Sequence, residues 1–257
     1  MTNPFRLDGK TILITGAGGG IGRALVDTFR NAGASIVGVD REAGMLAGLD
    51  LAHTILCDQA DAKDTRLAIE QHLMQHGAPD AVVSNAGWTR AEVLDQLDDD
   101  SWASELAINL SGAYALTDPI IKAMAARGQG SLVFISSVNA LGHYGNPAYS
   151  AAKAGLVAYS KAIAIERGSQ GVRSNVICPG SVRTPAWDHR LEADPTLLDN
   201  VLPHYPLGRM VSPLEVANAA LFFCSDAASG ITGTVLPVDA GLTAGNLRFV
   251  DDVLRTK

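Results

Sequence analysis

Residues 10–32 read Lys-Thr-Ile-Leu-Ile-Thr-Gly-Ala-Gly-Gly-Gly-Ile-Gly-Arg-Ala-Leu-Val-Asp-Thr-Phe-Arg-Asn-Ala. The run from Lys10 to Thr15, with Thr-Ile-Leu-Ile at its centre, is short and mostly apolar, which marks a buried strand. Glycines fill the turn after it, and from Arg23 to Ala32 the apolar residues recur with helical spacing. Strand, glycine turn and helix in this order are what a dinucleotide site needs. The turn lets backbone N–H groups reach a pyrophosphate, and the helix N-terminus adds partial positive charge. Gly16, Gly20 and Gly22 give Gly-x-x-x-Gly-x-Gly rather than the common Gly-x-Gly-x-x-Gly. The reading therefore rests on the neighbouring strand and helix as much as on the spacing.

Working outward, further strands are expected at 35–39, 53–57, 80–84, 132–135, 172–178 and 235–238. Helices are expected at 61–77, at 102–126 with Pro119 kinking or breaking it, and from Pro147 onward. Another begins at Ser212-Pro213-Leu214-Glu215, a capping box, and runs to about Ser225. Alternating strands and helices predict an α/β fold, a doubly wound parallel sheet of about seven strands with helices on both faces. No linker or shift in composition divides residues 1–257, so a single domain is expected. Ligands of such sheets bind beyond the carboxyl ends of the strands, where the polar motifs of this chain fall.

Asp40 closes the second strand, twenty residues after Gly20. A carboxylate there accepts hydrogen bonds from a ribose diol and repels a 2′-phosphate, which favours NAD over NADP; Arg41 pulls the other way. Asp58, after the third strand, is placed to meet the adenine amino group. Asn85-Ala86-Gly87 ends the fourth strand with residues small enough for a ligand to approach the backbone.

The stretch 136–153, Ser-Ser-Val-Asn-Ala-Leu-Gly-His-Tyr-Gly-Asn-Pro-Ala-Tyr-Ser-Ala-Ala-Lys, carries the reactive groups. Two serines end the fifth strand. Asn146 is a suitable N-cap, Pro147 suits the first helical position, and Tyr149 and Lys153 stand four apart on one helix face. A cation within about 4–6 Å is expected to lower a phenol's pKa by roughly 1–3 units, fitting Tyr149 for general acid or base work. A serine hydroxyl opposite would hold the oxygen of an alcohol or carbonyl. Asn109, within the long helical stretch, is a candidate for holding a water near Lys153.

Composition bounds the partners. Hydrophobic residues make up 47% and charged residues 18%, enough for a substantial core. A net charge of −7 argues against a nucleic-acid surface, and no apolar run approaches the length of a membrane span. The start of the chain lacks a signal pattern. Cys57, Cys178 and Cys224 lie inside apolar runs and read as reduced core thiols of a cytoplasmic protein, with no metal expected. The segment 186–208, with Trp187, His189, Arg190, His204 and Tyr205, looks like a lid over a substrate. Trp88, His143 and Tyr144 are further substrate-facing candidates. Residues 245–257 form a tail suited to covering a subunit interface or a neighbour's pocket.

Together these residues resemble the short-chain dehydrogenase/reductases, one-domain Rossmann oxidoreductases, over roughly residues 8–244. Thr15 with Gly16, Gly19, Gly20, Ile21 and Gly22 looks like the family's cofactor turn, and Asn85-Ala86-Gly87 like its Asn-Ala-Gly motif. Asn109, Ser137, Tyr149 and Lys153 look like its catalytic tetrad. Pro179, Gly180, Val182 and Thr184 are similar to the segment that holds the nicotinamide carboxamide. The family usually has thirteen residues from serine to tyrosine; Ser136 gives thirteen and Ser137 twelve, and Ser137 is preferred because it ends the strand. Ala240 stands where many members have glycine.

The resemblance implies hydride transfer between NAD and a secondary alcohol or ketone. Tyr149 would move the hydroxyl proton, Lys153 would lower its pKa and hold the nicotinamide ribose, and Ser137 would position the oxygen. Asn109 would keep a relay water. A homotetramer or homodimer joined through the long helices is implied. A polyol, sugar or hydroxy acid is the preferred substrate class. The rival is a 3-ketoacyl thioester reductase using NADPH. From other classes, a non-catalytic dinucleotide-binding regulator and a lyase or epimerase using bound NAD transiently also share these features.

Overall fold

The computed structural model describes residues 3–90 and 93–255. Strands β1 (Thr11–Thr15), β2 (Ser35–Asp40), β3 (His53–Leu56), β4 (Ala81–Ser84), β5 (Gly130–Ile135), β6 (Val172–Pro179) and β7 (Val235–Val238) form one sheet in the order β3-β2-β1-β4-β5-β6-β7. Every neighbouring pair is parallel. Order reverses between β1 and β4, and the crevice at such a reversal is where doubly wound sheets take their ligands.

Two apolar layers cover the sheet. On one face α1 (Gly20–Asn31) and α9 (Pro213–Cys224) pack on each other, with Phe29 and Phe223 fully buried beneath them. Leu25, Val26 and Phe29 supply the stripe of α1, three and four residues apart as a helix requires. The other face is covered by α3 (Ala62–His76), α5 (Gly112–Arg127) and α6 (Pro147–Arg167), closed over Phe134, Leu116 and Leu156. β4 and β5 are buried along their whole length, which is why they read as unbroken apolar runs. β3, on the edge, buries one residue of four, Ile55.

Local chemistry fixes the ends. Ser212 Oγ accepts from Glu215 N at 3.3 Å while Glu215 Oε2 accepts from Ser212 N at 2.8 Å, so the predicted capping box is present with Pro213 behind it. Gly128 ends α5 with φ 79°, a left-handed position that glycine adopts without strain.

Three expectations change. Pro119 lies inside α5 without breaking it; the irregularity comes earlier, in a π-helical turn at Ala107–Ser111 that joins α4 (Asp99–Leu106) to α5 and carries Asn109. Asn146 precedes α6 but caps it with no side-chain bond. It sits instead in the left-handed region at φ 53°, and its carbonyl accepts from Ser150 N at 2.8 Å. The supposed lid is more regular than its weak periodicity implies, containing α7 (Pro185–Ala193) and α8 (Leu197–Val201). The tail folds as α10 (Leu247–Phe249) and a π-helical turn, with α10 lying against residues 202–204. Among the described residues no helix is long and apolar enough to cross a membrane.

Candidate active site

A cleft of about 750 Å³ opens at the carboxyl ends of β1, β2 and β4. That volume lies within the range of small-molecule sites. Gly16, Gly19, Gly20, Ile21, Asp40, Asp58, Asn85, Ala86, Gly87, Trp88 and Thr184, all singled out from the sequence, line it. Gly16 has φ 60°, and a Cβ there would meet the Ala86 Cα at 3.0 Å. A Cβ on Gly20 would sit 2.8 Å from the Thr184 Cβ. These missing side chains leave backbone exposed at the start of α1, a cradle of the shape a pyrophosphate fits. Gly22 lies beneath the turn, where a Cβ would collide with the Gly16 carbonyl.

The turn is tied to its surroundings at three points. Thr15 Oγ1 accepts from the backbone N–H groups of Asn85 and Ala86 at 3.0 and 2.9 Å, and Asn85 Nδ2 donates back to the Thr15 and Gly16 carbonyls at 3.0 and 3.2 Å. The Asn-Ala-Gly motif is thus a clamp between β4 and the glycine turn. Asp40 Oδ2 accepts from Gly18 N at 3.0 Å and Oδ1 from Arg41 N at 2.9 Å, so the carboxylate is fixed at the cleft wall. The Arg41 guanidinium pairs with Glu42 at 3.1 Å. Arg23 braces the turn from outside, donating to the carbonyls of Gly18 and Met45 at 3.0 and 2.7 Å.

The reactive groups meet at the Gly87 end. A Cβ on Gly87 would stand 2.8 Å from Asn109 Oδ1 and 3.1 Å from Lys153 Nζ, so only glycine lets the cleft reach both. Lys153 is 2% exposed; its ammonium donates to the Ile135 carbonyl at 3.0 Å and lies 5.4 Å from the centre of the Tyr149 ring. The Ser137 hydroxyl lies against that of Tyr149. It also donates to Asn139 Oδ1 at 3.1 Å. Ser136, by contrast, points into the fold and donates to the Lys153 carbonyl at 2.8 Å. The serine at spacing twelve therefore faces the tyrosine, and the one at thirteen holds α6 to β5.

The expected lowering of the Tyr149 pKa is not what this environment produces. Burial pushes the phenol up to about 12, with Ser137 pulling down and the Glu105 carboxyl adding to the rise. Burial also brings Lys153 down to about 8, against the charges of Cys178 and Glu105. Loss of hydration disfavours the charged form of each partner and is the largest influence on both. The pair thus rests as a neutral phenol beside an ammonium that gives up its proton readily, a poised acid.

Asn109 is fully buried. Its Oδ1 accepts from Trp88 N at 3.1 Å, and its Nδ2 donates to Trp88 O at 2.7 Å and to Glu105 Oε2 at 3.0 Å. Glu105 Oε1 in turn accepts from Arg90 N at 2.9 Å. The side chain expected to keep a water is thus engaged in holding the backbone after Gly87. Glu105 had no distinguishing mark in the sequence beyond standing four residues before Asn109.

Of the remaining candidates, Pro179 ends β6, and a Cβ on Gly180 would meet Asp239 Cα at 3.1 Å. Val182 is buried and pairs with Val211, so it shapes the segment leading to Thr184. Trp88 and Tyr144 are exposed large side chains at 45% and 43%, and His143 is exposed beside Tyr144. The Arg190 guanidinium stacks 4.3 Å from the centre of the Trp187 ring on α7. His189 and His204 are exposed, whereas Tyr205 is buried with its hydroxyl accepting from Ser181 N at 2.9 Å, a packing role. The sequence missed Met45, Ser104 and Ile108 on the cleft wall. Ser104 and Ile108 stand four apart on consecutive helical segments, a spacing that places them on one face.

A family model described as Enoyl-(Acyl carrier protein) reductase matches residues 16–243. An uncharacterised oxidoreductase of Schizosaccharomyces pombe is 39% identical over 248 residues, covering 96% of each chain. The D-threitol dehydrogenase of Mycolicibacterium smegmatis is 38% identical, covering 93% of this chain and 95% of its own. The 3-oxoacyl-(acyl-carrier-protein) reductase of Thermotoga maritima is 34% identical, covering 93% and 99%. Among solved structures, a short-chain dehydrogenase/reductase family oxidoreductase from Burkholderia thailandensis has a TM-score of 0.89 and 40% identity, covering 100% of this chain and 99% of that one. A gluconate 5-dehydrogenase from Burkholderia cenocepacia, in complex with NADP and tartrate, has a TM-score of 0.87 and 31% identity, covering 94% and 98%. With a glycine-turn cleft, a Ser-Tyr-Lys cluster at its end and these relatives along nearly the whole length, the chain belongs to the short-chain dehydrogenase/reductase family of NAD(P)-dependent oxidoreductases.

Proposed function

We propose that the chain is an NAD-dependent dehydrogenase of polyols, sugars or hydroxy acids, with Ser137, Tyr149 and Lys153 as its catalytic residues and Asn109 as a positioning residue. The observation that carries this reading is the meeting of a serine hydroxyl, a phenol and a buried ammonium where Gly87 opens the dinucleotide cleft. Gly16, Gly19, Gly20, Ile21 and Gly22 form the pyrophosphate cradle, with Asp40 at the adenosine ribose and Asp58 toward the adenine. Asn85, Ala86 and Gly87 shape the middle of the cleft. Thr184 lines the cleft on the side proposed for the nicotinamide, and Pro179, Gly180 and Val182 shape the segment that leads to it. The bound nicotinamide supplies the hydride acceptor or donor.

In the reducing direction the neutral phenol of Tyr149 gives its proton to the substrate oxygen, and Ser137 donates a hydrogen bond to that oxygen as charge develops on it. Lys153, with its lowered pKa, returns a proton to the phenolate. In the oxidising direction the same groups run in reverse. Donors aimed at one oxygen suit carbonyl–alcohol chemistry. They give a non-catalytic binder no advantage.

Asp40 favours NAD. Its fixed carboxylate stands where a 2′-phosphate would be repelled, and Arg41 is drawn to Glu42. The threitol and gluconate dehydrogenases among the relatives, and the aromatic and imidazole groups Trp88, His143, Tyr144 and Trp187, support a hydroxylated substrate. The second reading, a 3-oxoacyl thioester reductase using NADPH, is favoured by the relative from Thermotoga maritima. Trp102, Tyr114 and Ile165, exposed on α4, α5 and α6, support association into a dimer or tetramer through those helices. Three buried free thiols support a reducing compartment such as the cytoplasm.

The deciding experiment follows nicotinamide absorbance with polyols, sugars, hydroxy acids and 3-oxoacyl thioesters, each with both cofactors. Turnover of a polyol or sugar acid with NAD supports the first reading. Turnover confined to thioesters with NADPH refutes it. Tyr149→Phe is expected to abolish turnover and leave NAD affinity within a few-fold; comparable turnover by the variant would defeat the acid/base assignment.

A further inference from the structure

Glu105 lies near the end of α4, the helix that packs against α6. It is 4% exposed, a depth at which an acid is held only by donors aimed at it. Its two oxygens face different parts of the site: Oε1 accepts from Arg90 N at 2.9 Å and Oε2 from Asn109 Nδ2 at 3.0 Å. Asn109 in turn bonds to both backbone groups of Trp88, its Oδ1 accepting from the N–H at 3.1 Å and its Nδ2 donating to the carbonyl at 2.7 Å. The segment leaving Gly87 is thus gripped at Trp88 N, Trp88 O and Arg90 N, and each grip runs to the Glu105–Asn109 pair. Ser104 and Ile108, which precede these two residues in the chain, line the cleft itself. One face of this helical stretch forms the cleft wall, and the adjoining one forms a brace behind it.

We propose that Glu105 is a positioning residue for the reaction: its buried carboxylate fixes segment 88–90 and Asn109 in the register that keeps the Gly87 opening clear, and it sets a negative charge beside the Tyr149–Lys153 pair. The role of that charge rests on the proton transfer proposed for the pair. Glutamine at this position would keep the shape but offer only one oxygen. With that oxygen on Arg90 N, its NH₂ group meets Asn109 Nδ2, donor against donor, and Asn109 cannot turn over without losing both bonds to Trp88. The clasp therefore needs an acid, not merely a polar side chain. The charges around the pair point the same way. Tyr149 faces Ser137 beyond β5, Cys178 on β6 and Glu105, while Lys153 faces the Ile135 carbonyl, Asn109 at the Gly87 opening, Cys178 and Glu105. Burial pushes the Cys178 thiol up and keeps it neutral, which leaves the Glu105 carboxylate as the negative charge in that set. It raises the proton affinity of phenol and ammonium alike, holding the pair protonated for delivery to a carbonyl.

The test compares the full-length protein with Glu105→Gln and Glu105→Asp by amide hydrogen exchange, thermal melts and steady-state kinetics. In Glu105→Gln the Trp88 and Arg90 amides should exchange at least about tenfold faster, with those of β4 and β5 unchanged. Its kcat should fall about tenfold or more with cofactor KM within about threefold. The acid limb of kcat/KM for alcohol oxidation should move to lower pH by about half a unit, because a negative charge has been removed. Glu105→Asp restores the charge without the reach, so the limb should return to its wild-type position while the Arg90 amide stays fast. That variant also carries the exchange and kcat measurements if Glu105→Gln does not fold. Wild-type kcat and an unmoved limb in Glu105→Gln, or a fall in Tm alone, would reduce Glu105 to packing and overturn the proposal. Unchanged exchange at Trp88 and Arg90 in both variants would overturn the clasp. Should the wild type turn over no alcohol or carbonyl, the dehydrogenase reading has failed, and the exchange rates still decide whether Glu105 holds segment 88–90.

Discussion

Adjacent serines with opposite orientations allow a two-way dissociation of chemistry from stability. Ser137→Ala removes the hydroxyl that lies against Tyr149, and with it a donor to the substrate oxygen. Losing one such donor to a developing oxyanion costs about 2.7–4 kcal/mol of transition-state stabilisation, a fall in kcat of roughly 10²–10³. Its local bonds to Asn139 are partly solvent-accessible, so the melting temperature should move by less than about 2 °C. Ser136→Ala deletes a buried bond of 2.8 Å to the Lys153 carbonyl. That carbonyl belongs to a helix interior and keeps its helical partner, so the loss is about 1 kcal/mol, or about 2–4 °C in Tm for a domain of this size. Its kcat should stay within about threefold, because the backbone rather than the ammonium is released. Steady-state kinetics with the substrate identified by the panel, and thermal melts of the same preparations, read both effects. A large kcat loss in Ser136→Ala with little in Ser137→Ala would refute the assignment of the two hydroxyls.

Three other perturbations follow from the same structure. Ala240 sits at φ 52°, a conformation that costs a residue with a Cβ about 1 kcal/mol. Ala240→Gly should therefore raise Tm by about 2–4 °C without altering kcat, and a lowered Tm would count against that strain. Between pH 8 and 10 the unfolded chain keeps the Lys153 proton that the folded chain has released, so unfolding free energy rises with pH through this group, by up to about 1.4 kcal/mol per unit. Lys153→Met should abolish that increment in denaturant titrations from pH 7.5 to 9.5; an identical slope in the variant would mean the ammonium is not poised. Asp40→Ala should raise use of NADP relative to NAD by tenfold or more, measured as a kcat/KM ratio, and an unchanged ratio would mean that Asp40 does not face the ribose.

The elements that carry the cleft were legible because each leaves a local mark. β4 and β5 are buried throughout and so apolar throughout, the capping box names its own helix start, and close approach of Ala86 to Gly16 permits only glycine. Tyr149 and Lys153 were readable as a pair since helical spacing alone sets them side by side. Their protonation was not, because desolvation depends on how deeply the surrounding chain closes over them, and no spacing records depth. The π-helical turn under Asn109 has no compositional signature, and the carboxylate of Glu105 becomes part of the site only through that turn.

Helix α6 runs for 21 residues and carries the phenol and the ammonium on successive turns, while Trp187 and Arg190 ride on a separate short helix. The pair proposed to handle the proton is therefore held by one stiff rod whose internal spacing does not depend on that short helix. On the proposed reading, replacement, lengthening or reshaping of residues 186–208 would change which alcohol is admitted without retuning the acid carried by α6. Such modularity offers a route by which one scaffold diversifies its diet while its reaction stays fixed.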